Sequence, residues 1–168
     1  MLSKAYLMDR GLHWISALLL FYMLMVLSGQ IHYVDWQIKG EVQHRQDALQ
    51  AHATAGFVLV IIILSRVLYT LRFQTKLPRM TPQSRRHSLF INAVHGLLYV
   101  CIFLLAGTGI LMVTNYELPL NILGIELPAK KDNYFSVFSQ FHEVHLLLQQ
   151  AMWWLIAIHL AGVLYAKR

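Results

Sequence analysis

The chain has 168 residues, 57% of them hydrophobic and only 13% charged, with a mean hydropathy of +0.50. That composition excludes an ordinary water-soluble domain and a disordered chain. The formal charge of +6 comes from 14 Lys and Arg against 8 Asp and Glu; placed in short loops between apolar stretches, these charges report membrane orientation and not nucleic-acid binding. The single cysteine, Cys101, rules out an intrachain disulfide and any cysteine-based zinc or iron–sulfur pattern. Nine histidines in so apolar a chain put several imidazoles at membrane depth, where an ionisable side chain is costly enough to imply a function.

A bilayer core of about 30 Å requires roughly 20 apolar residues of helix, and four stretches qualify: about 12–31, 52–72, 90–113 and 143–165. The expected fold is an all-α integral membrane four-helix bundle in one domain spanning 1–168. The first stretch, Leu12 to Ile31, contains no Asp, Glu, Lys or Arg. It reads as a retained span and not a signal peptide, because Asp9 interrupts the basic head, the apolar run is long, and no clear small-x-small site follows Gly29. The second runs from His52 through the apolar block Phe57 to Leu64 and carries Arg66 near its end. The third includes His95, Tyr99, Gly107 and Gly109, the glycines suiting close helix approach in lipid. The fourth includes His145, Trp153, Trp154 and His159. Before it, the segment from about Asn115 to Gln140 mixes Leu118, Leu120, Ile122, Leu123, Ile125 and Phe135 with charges and is expected to lie along the membrane surface.

The basic residues divide unequally between the two sides. Lys4, Arg10, Arg66, Arg72, Lys76, Arg79, Arg85, Arg86, Lys167 and Arg168 fall on the side of the termini and the loop punctuated by Pro78 and Pro82; Lys39, Arg45, Lys130 and Lys131 fall on the other. The positive-inside rule therefore places both termini in the cytoplasm.

Histidine spacing carries the chemistry. His145 and His159 are 14 residues apart on one helix, which at about 1.5 Å and about 100° per residue separates them by roughly 21 Å while keeping them on one side. One metal ion cannot use both, so each implies its own site, completed from another helix. By depth His52 matches His145 on the outer side and His13 matches His159 on the inner side. Two His–Fe–His sites, one per leaflet, use all four residues and suit b-type haem held without covalent attachment; no Cys-x-x-Cys-His is present for a c-type link.

Leu12-His13-Trp14, the run His52-Ala53-Thr54-Ala55-Gly56, and His145 with His159 make the chain resemble the bacterial cytochrome b561 family over nearly its whole length. That family is itself similar to the cytochrome b subunits of nickel–iron hydrogenases and formate dehydrogenases. The resemblance implies two haem b groups, ligated by His13–His159 on the cytoplasmic side and His52–His145 on the outer side, in a multi-pass protein of the bacterial inner membrane. His142-Glu143 supplies a His-Glu pair found in the family at the head of the last helix, but a separation of 17 turns His142 about 100° from His159; His145 is the expected ligand.

Other residues carry alternatives. His95 is a rival inner ligand, a quinone contact, or a packing residue. Arg66, 14 residues after His52, is placed to meet a haem propionate or to snorkel to lipid phosphate. Lys130 and Lys131 are exposed loop charges, or a patch steering a small anion to the outer haem. His32, His44 and His87 read as solvated, and the methionines with Trp153 and Trp154 as packing and interface anchors. The small size resembles the superoxide-oxidising branch of the family, implying an oxidoreductase that passes electrons from superoxide to ubiquinone, with lipid and quinone as partners. The alternative is a membrane-anchor subunit carrying electrons between a redox partner protein and the quinone pool. A third reading, a histidine-lined transporter or proton channel, requires that no haem be bound.

Overall fold

Within hydrocarbon every backbone N–H and C=O must be paired inside the protein, and a long helix does this within one segment. The computed structural model describes residues 4–32, 41–73, 84–130 and 134–166, and four helical stretches, Lys4–Ile31, Gln43–Phe73, Arg85–Val113 and Val137–Ala166, are long and apolar enough to cross a membrane. The expected all-α membrane fold is therefore present. Its elements in order are α1 (Lys4–Tyr22), a π-helical segment (Met23–Leu27), α2 (Ser28–His32), α3 (Glu41–Phe73), α4 (Arg85–Val113), β1 (Leu120–Ile122), β2 (Ile125–Leu127) and α5 (Tyr134–Ala166).

The helices outrun the apolar stretches that announce them. His52 does not open its helix: α3 begins at Glu41, about three turns earlier. Likewise α5 begins at Tyr134, so His142, Glu143 and His145 lie well inside it. Good helix formers such as Gln46, Ala48 and Leu49 extend the helix into the interface, where water replaces lipid but backbone bonding still propagates.

The chain divides into two units, Met1–Pro78 with Val113–Asp132 and Arg79–Met112 with Asn133–Arg168. In the first, α1 packs along α3. Along α1 and into the π-helical segment the buried Asp9, Ser16 and Met23 recur every seven residues. On α3 the positions 52, 56, 59, 63, 66 and 70 follow alternating steps of four and three, with Leu59 and Ile63 buried between His52 and Arg66. This is the spacing that keeps one helix face against a neighbour. Gly56 allows Met23 close: a Cβ there would stand 3.4 Å from the Met23 methyl.

The second unit repeats the pattern. Val94, Cys101 and Thr108 are buried seven residues apart on α4, while α5 sets His145, fully buried Met152 and His159 in one stripe with the same step. The pairs Phe90 with Gly162, His95 with His159, Cys101 with Leu148 and Thr108 with His145 have residue numbers adding to nearly one total, as antiparallel helices require. Backbone atoms of α4 and α5 seldom come close, and side chains make most of the junction.

The segment after α4 has regular structure that the residue pattern does not announce. It forms an antiparallel hairpin with Leu120 opposite Leu127 and Ile122 opposite Ile125. Leu123 and Gly124 make the turn with φ of 53° and 84°, the left-handed geometry of a two-residue hairpin turn, and Asn121 Oδ1 accepts the Gly124 N–H at 2.9 Å. The turn escapes a sequence reading because Leu stands where Asn or Gly is the usual signal. Two glutamines of α3 hold the hairpin: Gln46 Nε2 donates to the Pro119 carbonyl at 2.8 Å and Gln50 Oε1 accepts the Asn121 N–H at 2.6 Å. Leu120 is thereby buried to 2% exposure. At the hairpin's base Lys130 N–H donates to the Tyr116 carbonyl. Burial pushes the Tyr116 phenol up, Arg45 pulls it down, and Glu117 adds to the rise.

A leucine at positive φ costs about 1 kcal/mol relative to a residue that tolerates the left-handed region. Leu123→Asn should therefore stabilise the hairpin by about that amount, read as slower amide hydrogen exchange across Leu120–Leu127 in detergent; unchanged or faster exchange would show that the leucine side chain offsets the strain.

Candidate functional site

The chemistry-bearing residues gather on the inward stripes just described. In the second unit His145 is fixed from α4. Thr108 Oγ1 lies 2.8 Å from His145 Nδ1, and the same oxygen lies 2.9 Å from the Leu104 carbonyl and 3.0 Å from the Leu105 carbonyl. His142, one turn earlier, stacks instead on Phe138, with ring centroids 5.7 Å apart.

At the other end of the stripe the His159 ring meets the His95 ring edge to face, centroids 5.0 Å apart. His95 Nδ1 lies 2.7 Å from the Ile91 carbonyl. A carbonyl only accepts, so Nδ1 is the donor in this contact. That is the anchoring typical of iron-ligating and proton-handling histidines alike, and it brings His95 into the same cluster as His159.

The first unit carries His13 and His52 on facing helices. His13 stands beside Trp14, centroids 5.7 Å apart, and its carbonyl accepts the Ser16 hydroxyl at 2.9 Å. One turn before His13, on the same face of α1, lies Asp9, a residue whose importance the sequence hides because it falls outside the apolar run. Its carboxylate is bound by Arg10 at 2.8 Å and lies 3.4 Å from the Thr70 hydroxyl and 3.9 Å from Arg66 Nε. Arg66 is turned inward, its side chain 13% exposed, and does not snorkel outward. Its Nε is buried with no hydrogen-bond partner among the described residues.

These features fit haem. The macrocycle supplies four nitrogens, so the protein need offer only an imidazole on each axial face. Accordingly no group of three metal-ligating side chains is needed, and none occurs among the described residues. A buried guanidinium N–H lacking an acceptor suits a haem propionate. Lys130 is exposed at the base of the hairpin; Lys131 lies outside the described residues. His44 is exposed, as expected of a solvated residue, whereas His87 packs edge-on against Tyr165, centroids 5.7 Å apart, and is only partly exposed. His32 closes α2, its side chain outside the described residues. Thr108 and Asp9 are the two functional-site neighbours that sequence reasoning missed; the signal for Thr108 is available only once the α4–α5 register is known.

A family model described as prokaryotic cytochrome b561 matches residues 7–168, nearly the full chain. No curated protein matches closely enough to count as a relative.

Removing one member of a buried ion pair leaves the other uncompensated, at a cost of about 3 kcal/mol. Asp9→Asn should destabilise the protein by about that amount, measured by thermal unfolding in detergent micelles. Asp9→Glu should recover most of the loss, and equal stability of Asp9→Asn and the parent would remove Asp9 as the compensating charge.

Proposed function

We propose, because the chain belongs to the prokaryotic cytochrome b561 family, that it is a stand-alone superoxide:ubiquinone oxidoreductase of the bacterial inner membrane. Membership makes it a multi-pass protein of transmembrane haem b electron transfer; the donor, the acceptor and the number of haems are our reading. Two haem b groups are held in a single membrane domain with both termini cytoplasmic: His52 and His145 ligate the outer haem, His13 and His159 the inner one. The observation that carries this is the stripe on α5, where His145 and His159 stand two seven-residue steps apart with Met152 buried between them.

Bound haem supplies one-electron exchange between ferric and ferrous iron. The chain's own residues do the rest. Lys130 and Lys131 concentrate a small anion at the outer surface, where opposite charge raises encounter rates. Arg66 neutralises a propionate of the inner haem while Asp9 keeps the guanidinium in place. His95, held through Nδ1 by the Ile91 carbonyl, relays a proton from the cytoplasmic side through Nε2 to a quinone carbonyl. Two superoxide anions each lose one electron and leave as dioxygen, and one ubiquinone gains the two electrons and two protons to become the quinol.

The test is a pyridine haemochrome assay with redox titration of purified protein. Two haems per chain are expected. His52→Ala and His145→Ala should remove the same spectral component, and His13→Ala and His159→Ala the other; loss of one component by both His52→Ala and His13→Ala would refute the pairing. Superoxide should reduce the protein rapidly and ubiquinone reoxidise it. A haem-replete protein inert to superoxide, co-purifying with a redox partner, would make the chain a membrane-anchor subunit instead.

For His95, replacement by Gln should retain both haems yet slow ubiquinone reduction by about 10²-fold or more, the usual contribution of a positioned acid–base group. Loss of one haem in this variant would make His95 a ligand, and unimpaired turnover would make it a packing residue.

A further inference from the structure

The Thr108 hydroxyl has one proton and three oxygen or nitrogen neighbours within hydrogen-bond distance: the carbonyls of Leu104 at 2.9 Å and Leu105 at 3.0 Å, and Nδ1 of His145 at 2.8 Å. Both carbonyls can only accept, so the hydroxyl proton is directed to them, as in the back-bonding of helical threonines. Were that proton turned to Nδ1 instead, three oxygens would face one another with no proton between them. Toward the imidazole Thr108 Oγ1 is therefore the acceptor, and Nδ1 of His145 carries the hydrogen. The lone pair is then on Nε2.

We infer that Thr108 is a positioning residue for His145, fixing the tautomer and ring orientation that present Nε2 to haem iron, and strengthening that nitrogen as a donor by accepting the Nδ1 hydrogen. Thr108 itself is buried, with 8% exposure, so water does not compete for the imidazole N–H. An accepted Nδ1–H bond raises the basicity of the ligating nitrogen. A more basic axial nitrogen favours ferric over ferrous iron and holds that haem's potential down. The inference rests on the reading of His145 as an axial ligand.

The experiment uses the full haem-loaded chain in detergent. Spectroscopic redox titration and low-temperature electron paramagnetic resonance are run on the parent, Thr108→Val, Thr108→Ser and His145→Ala. Valine keeps the shape of threonine and removes the acceptor. Thr108→Val is expected to retain both haems, shift one midpoint potential upward, leave the other in place and change the g-values of one low-spin signal; Thr108→Ser is expected to restore the parental values. If Thr108→Val loses one haem while Thr108→Ser keeps both at parental potentials, the hydroxyl is equally confirmed as the anchor. Unchanged potentials and g-values in Thr108→Val, or equal haem loss in the Val and Ser variants, overturn the inference while the ligand reading stands. That reading falls separately if His145→Ala keeps both haems.

Discussion

An imidazole carried into hydrocarbon must give its N–H to an acceptor inside the protein, since no water is there to take it. In the second unit that constraint is met twice, by the Thr108 hydroxyl for His145 and by the Ile91 carbonyl for His95. The two solutions differ in kind. A backbone carbonyl four residues back is available to any helical histidine in the right rotamer, whereas a hydroxyl on a neighbouring helix exists only if two helices hold one register. His145 is thus tied to tertiary packing, and His95 is oriented by its own helix.

In the first unit charge pairing stands where such a bond would, and Arg66 Nε keeps no acceptor among the described residues. Arg66 and Asp9 occupy positions of the α1–α3 seam that apolar residues fill elsewhere, as Leu59 and Ile63 do. A buried arginine is tolerable there because Asp9 lies within 3.9 Å, and Asp9 in turn draws on Arg10 and Thr70. The end of this helix pair that carries Asp9 and Arg66 is therefore held by charge and the centre by hydrocarbon packing. Such a division confines the dehydration cost of buried charge to one end of the pair.

Much of this was legible in the residues. Four apolar runs gave four spans, and the 14-residue interval between His145 and His159 gave one stripe. The interval from His52 to Arg66 likewise proved to be one face. Helix starts were not legible, because polar, helix-favouring residues extend α3 and α5 beyond the runs that hydropathy detects. The hairpin was hidden by a leucine at a position that normally advertises itself with asparagine or glycine. Thr108 was invisible for a different reason: a lone threonine in an apolar helix acquires meaning only from the residue opposite it, and pairing between antiparallel helices depends on a register that no local pattern encodes.

The π-helical segment Met23–Leu27 interrupts an otherwise α-helical stretch near its far end, beside the Gly56 contact. A wider turn takes up residues without advancing the regular face, so the helix beyond it is rotated relative to an unbroken α-helix, by about 100° for each extra residue accommodated. The stretch thus behaves as two rods joined by a fixed rotary coupling. The long part bearing Asp9 and His13 and the short part beginning at Ser28 can each satisfy a different set of neighbours without a proline hinge or a break in the backbone hydrogen-bond chain. Shortening that turn by one residue would leave a helix just as long and just as apolar, yet pointed the wrong way at one end.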